Sequence, residues 1–133
     1  MTNPKILIVD DEPNILILME QVLEDLEENY GVQLLKATQG EEALEIIFRE
    51  KPALIFLDVM LPKVSGFEVC RRVKENPEYS NIYIVLLTAK GQEYDRETGL
   101  AMGANCYMTK PFRPKEVVYK AQHVLSSLLP PSP

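Results

Sequence analysis

Five short apolar runs, each followed by an amphipathic stretch, recur along the chain and leave few folds open to it. The runs are residues 6–9, 32–37, 53–57, 82–87 and 105–108. Most are continuous and rich in Ile, Leu and Val rather than strictly alternating, which is the pattern of parallel strands covered on both faces. The stretches between them carry helical periods. In residues 13–29, Ile15, Leu18, Met19, Val22, Leu23 and Leu26 form one apolar stripe. Thr38-Gln39-Gly40-Glu41 reads as a capping box ahead of Ala43, Leu44, Ile46 and Ile47, and Ser65-Gly66-Phe67-Glu68 as a second ahead of Val69 and Val73. A helix over 93–102 is closed by Gly103. Pro114 suits the first turn of a last helix that turns Val117, Val118, Ala121, Val124, Leu125 and Leu128 inward. Right-handed crossovers then place helices on both faces of an open parallel sheet, a doubly wound (βα)5 α/β fold.

At 133 residues the chain is one domain with room for a core. Residues 1–129 are expected to form it, with 130–133 as a Pro-rich tail or linker stub. A net charge of -6 and a pI near 4.8 argue against direct nucleic-acid binding by this domain. No apolar run approaches the ~20 residues of a membrane span. Cys70 and Cys106 form no closely spaced metal pair and no disulfide framework, and read as small hydrophobes in a reducing compartment. The expected location is the cytoplasm.

In open α/β sheets, ligands sit beyond the carboxyl ends of the strands. Strand 1 ends in Asp10-Asp11-Glu12, strand 3 in Asp58, strand 4 in Thr88-Ala89 and strand 5 in Lys110-Pro111. Each has a plain structural reading alone: a helix-favouring acid, a turn residue, strand filler, a solvated loop charge. Together they are specific. The pair Asp10-Asp11, the run Asp58-Val59-Met60-Leu61-Pro62 with Gly66, the step Thr88-Ala89 and Lys110-Pro111-Phe112 resemble the receiver domain of two-component response regulators over about residues 4–129.

The resemblance implies the flavodoxin-like strand order 2-1-3-4-5. Strands 1 and 3 then lie about 4.8 Å apart, so Asp10, Asp11 and Asp58 are expected to converge on one pocket. Three carboxylates there repel unless a hard cation joins them, and Mg²⁺ (or Mn²⁺) suits oxygen ligands. By the same resemblance, Asp58 accepts the phosphoryl group. Asp11, Asp58 and the Met60 carbonyl hold the metal directly, and Asp10 does so directly or through water. Lys110 and Thr88 contact the product phosphate, and Ala89 is a position where bulk would crowd it. Thr88 and Tyr107 form the switch, which alters helix 4, strand 5 and helix 5. Met60 and Lys90 flank the route of a hydrolytic water, although Lys90 reads equally as a surface lysine. The Lys110–Pro111 bond is expected to be cis.

Two enzymatic or cofactor readings fit less well. A haloacid-dehalogenase-type phosphatase needs a second acid two residues past its nucleophile, and position 60 is methionine. A flavodoxin-like flavin binder needs a phosphate cradle after strand 1, where Asp10-Asp11 would repel it. A receiver serving only as an interaction module would not need the full acceptor set. The expectation is a phosphoacceptor without steady turnover. Its partners are a sensor histidine kinase or histidine phosphotransfer protein, a downstream target that the residues do not name, and a second copy in a phosphorylation-dependent dimer. The donor is expected to dock on helix 1 at Ile15, Leu16 and Ile17, with Leu16 or Ile17 partly exposed because a 3.6-residue period cannot bury a whole apolar run.

Overall fold

The computed structural model describes residues 3–89 and 94–126, the side chains of 94–96 excepted. Five strands, β1 (Lys5–Val9), β2 (Gln33–Ala37), β3 (Leu54–Asp58), β4 (Tyr83–Ala89) and β5 (Cys106–Lys110), alternate with five helices, α1 (Pro13–Tyr30), α2 (Gly40–Glu50), α3 (Gly66–Lys74), α4 (Tyr94–Ala101) and α5 (Pro114–Leu125). The sheet is parallel in the order β2-β1-β3-β4-β5. The implied order is the observed one.

The two faces of the sheet bury different halves of each strand. Leu7, Val9, Ile55, Leu57, Ile84 and Leu86 face α2 and α3, packing with Ala43, Ile47, Val69 and Val73. Ile6, Ile8, Leu54, Phe56, Val85 and Leu87 face α1 and α5, packing with Met19, Leu23, Val117 and Ala121. Both cores are apolar, which is why the central strands read as unbroken hydrophobic runs. β2 and β5 lie at the edges and are only partly covered.

The α1 stripe is centred differently from the expected one. Leu16, Met19, Leu23 and Leu26 are buried, whereas Ile15, Leu18 and Val22 flank them half-buried. The apolar band is wider than one side chain, and packing against both the sheet and α5 selects its middle. In α5, Val117, Ala121 and Leu125 are buried and Val118 and Val124 half-buried, while Leu128 lies outside the described residues.

Capping differs from the two expected boxes at both α2 and α3. α2 starts one residue later than the Thr38 box implies: Gln39 is the N-cap and bonds nothing with its side chain. The acid three residues past that cap is Glu42, and it accepts the Thr38 N–H at 2.7 Å instead. Glu41 plays no part in the cap. At α3 the Ser65 Oγ accepts the Glu68 N–H at 3.2 Å as expected, but the return arm is missing because the Glu68 carboxylate is engaged by Arg71 and Arg72. α4 ends at Ala101, and Gly103 follows in the left-handed region at φ 99. Residue 93, the expected start of that helix, and the 130–133 tail lie outside the described residues. Cys70 is buried and its thiol is pushed up to about 11 by that burial, whereas Cys106 is half-buried rather than buried. Among the described residues, no helix is long and apolar enough to cross a membrane.

Candidate functional site

Strand register brings the chemistry together. Val9 lies opposite Leu57, so Asp10, the next residue, comes level with Asp58 on the neighbouring strand. Asp58 lies opposite Leu87, and Lys110 sits two residues further along the carboxyl edge, opposite Ala89. Three carboxyl ends therefore surround one cleft.

Asp58 is 4% exposed. One of its oxygens accepts the Met60 N–H at 3.1 Å, and the other lies 3.4 Å from the Lys110 ammonium. The loop after it is held in place by Gly66, where a Cβ would meet the Asp58 carbonyl oxygen at 2.2 Å. Only glycine allows α3 to start that close to β3. Burial, and then the neighbouring Asp10 charge, push the Asp58 carboxyl up to about 6, against the opposing pull of Lys110 and the Met60 N–H.

Asp10 is fully buried. Its Oδ1 accepts the Glu12 N–H at 2.9 Å, and its Oδ2 lies 2.8 Å from the Lys110 nitrogen. That ion pair is the contact Asp10 Oδ2 makes among the described residues. Lys110 is thus the hub of the site, touching Asp10, Asp58 and, at 3.5 Å, Glu12. Burial alone would lower its pKa, but the three carboxylates outweigh it and raise the ammonium above its ordinary value. Two strand spacings of roughly 10 Å are bridged by its four-carbon stem.

The carboxylates group differently from the expected Asp10, Asp11 and Asp58. Among the described residues, those within 4.8 Å of one another are Asp10, Asp11 and Glu12, and Asp58 joins Asp10 through Lys110. With the ammonium between them, Asp58 and Asp10 need not share a metal to coexist. The donor set still fits a hard divalent cation: it is all oxygen, with the buried Asp10 carboxylate, whose Oδ2 has an ammonium as its neighbour, beside the exposed Asp11.

The remaining predicted positions fall as follows. Thr88 is buried beside the site, 4% exposed, and Ala89 is exposed. Tyr107 on β5 is half-buried against the α2 and α3 face. Met60 is 63% exposed, and the Lys110–Pro111 peptide is cis. Lys90 lies outside the described residues. On α1, Ile17 is 53% exposed and Ile15 half-buried, but Leu16 is buried and is no surface residue. The residue that sequence reasoning left without a role is Glu12. Its place beside Asp10-Asp11 is visible in the sequence, but its reach to a lysine 98 positions away is not.

The architecture is that of known proteins. Residues 6–122 match the response regulator receiver domain family, and the chain belongs to that family. It is 46% identical over 123 residues to the alkaline phosphatase synthesis transcriptional regulatory protein PhoP of Bacillus subtilis (strain 168), covering 92% of this chain and 49% of that protein. The chain spans about half the length of the curated relatives it matches. Among solved structures it resembles the chemotaxis response regulator CheY4 of Vibrio cholerae, with 31% identity, a TM-score of 0.82 and 93% and 100% of the two chains covered. It also resembles the receiver domain of the sensor histidine kinase PA1611 from Pseudomonas aeruginosa PAO1, with 27% identity, a TM-score of 0.81 and coverage of 94% and 99%. That receiver has a magnesium ion coordinated in its active-site cleft. This chain is accordingly a receiver domain of the two-component response regulators, a class whose general role is to accept a phosphoryl group.

Proposed function

We propose that Asp58 is the phosphoacceptor and that a histidine kinase or histidine phosphotransfer protein in the cytoplasm is the donor. The observation that carries this reading is the Lys110 ammonium set between the buried Asp10 and Asp58 carboxylates, with Asp58 held by the Met60 N–H. An Asp58 carboxylate oxygen forms a bond to phosphorus while the bond from phosphorus to the donor imidazole nitrogen breaks, and the imidazole leaves with that electron pair. The product is an acyl phosphate on Asp58.

A divalent cation, Mg²⁺ or Mn²⁺, would be held by Asp10, Asp11, Asp58 and the Met60 carbonyl, and when bound it would neutralise the charge on the transferring oxygens. Lys110 turns from Asp10 toward the new phosphoryl oxygens and makes a charge-assisted contact. Thr88 donates its hydroxyl to another, and Ala89 leaves room for the group. Movement of Thr88 opens space for Tyr107, so that the α4, β5 and α5 surface changes and is read by a downstream target or a second copy. Met60 and Lys90 tune hydrolysis. Each domain turns over only its own phosphate, so it is not a steady-state enzyme.

The test is labelling by acetyl phosphate with Mg²⁺, read by intact mass. Wild type should gain one phosphoryl group and Asp58→Asn none, and chelation should abolish labelling. Equal labelling of the two proteins would overturn the assignment of Asp58.

A further inference from the structure

Glu12 is the N-cap of α1, and it caps with its backbone alone. Its carbonyl accepts the Ile15 and Leu16 N–H groups at 3.1 and 3.4 Å, and its side chain makes no capping bond. The carboxylate is therefore not needed by the helix. It lies over the pocket instead, within 4.8 Å of the Asp10 and Asp11 carboxylates and 3.5 Å from the Lys110 ammonium. What holds an acid among two like charges is that ammonium. The three acids on Lys110 are not equivalent. The Asp10 side chain is 0% exposed and that of Asp58 6%, against 63% for Glu12. Glu12 thus covers the solvent side of a cation whose inner side is held by the other two. A phosphoryl group arriving on Asp58 enters from the solvent and needs the same cation.

We propose that Glu12 is a positioning residue that competes with the arriving phosphoryl group for Lys110, slowing the handover of the ammonium from the resting to the phosphorylated site. This rests on Asp58 being the acceptor. One exposed ion pair shifts an equilibrium by about two- to fivefold, enough to tune a rate without deciding whether the reaction occurs. The competition acts through Lys110, which separates it from simple repulsion of an anionic donor and from metal ligation.

Labelling rates with acetyl phosphate, at varied magnesium, distinguish these in wild type, Glu12→Gln, Lys110→Ala and the double variant. At saturating magnesium, Glu12→Gln should label about two- to fivefold faster than wild type. The double variant should label no faster than Lys110→Ala. Acceleration that persists without Lys110 would show donor repulsion and overturn the proposal. A rate below wild type at saturating magnesium would make Glu12 a metal ligand and overturn it equally, as would an unchanged rate. Wild type that takes no label on Asp58 would instead remove the acceptor reading, and this inference with it.

Discussion

Asp58 carries opposing demands in one side chain: it is buried, yet as the proposed acceptor it must ionise to attack. The structure leaves it with a carboxyl raised from 3.8 to about 6. The folded state therefore binds the Asp58 proton more tightly than the unfolded state does. That contribution to stability is fully present below about pH 4 and is lost as pH rises through about 6. A shift of about two units corresponds to roughly 3 kcal/mol. In chelated protein, Asp58→Asn should gain stability over wild type by up to roughly that amount between pH 4 and 7.5, as measured by denaturant unfolding. A difference that stays flat with pH would show that Asp58 titrates normally. On the proposed mechanism, Lys110 and Thr88 act on the product phosphate. Lys110→Ala and Thr88→Ala should still accept phosphate but lose the NMR shift changes near Tyr107 on adding beryllofluoride, a phosphoryl mimic. Undiminished changes in both would refute those roles.

The apolar run on α1 divides between two duties, and the structure decides which residue has which. Leu16 is buried in the core shared with α5, whereas Ile17 is 53% exposed. Leu16→Ala should cost about 2–4 kcal/mol of stability by chemical denaturation, because it deletes packed methyl groups and leaves a cavity. Ile17→Glu should leave stability within about 0.5 kcal/mol of wild type. It should also slow transfer from a phosphohistidine protein while sparing labelling by acetyl phosphate, which needs only the pocket. Equal slowing with both donors would point to damage in the pocket, and slowing with neither would place Ile17 outside the donor interface.

At the scale of the molecule, the buried charge of the described residues lies at the carboxyl edge of the sheet. Among the described residues, the buried polar side chains are Asp10, Asp58 and Thr88, all at that edge, above two apolar cores. A cation that binds only the folded arrangement stabilises it by mass action. Magnesium at about one hundred times its dissociation constant should add about 2.7 kcal/mol to wild type, and chelation should reverse it. Differential scanning calorimetry checks this, and Asp58→Asn should show a smaller shift. An equal shift in the two proteins would remove Asp58 from the metal site.

How much of this was legible differs between fold and site. Runs such as 6–9 and 53–57 announce strands buried on both faces, because period and composition are local properties of the chain. The chemical types at the strand ends, Asp10, Asp58, Thr88 and Lys110, are equally local, and with them the class of protein. The resemblance, not the periodicity, supplied the strand order. The finer outcomes come from contacts between distant segments. The choice of Leu16 over Ile17 for the core depends on α5, nearly a hundred residues away. The α2 cap falls on Gln39 rather than Thr38, and the Thr38 N–H is taken by Glu42 instead of Glu41. The reach of Lys110 to Asp10, Asp58 and Glu12 follows from a register set by β3, β4 and β5 together. A sequence determines which side chains are apolar and which are charged. Only tertiary packing decides which of several equivalent side chains a given neighbour will meet, because that is set by distances the local pattern does not contain.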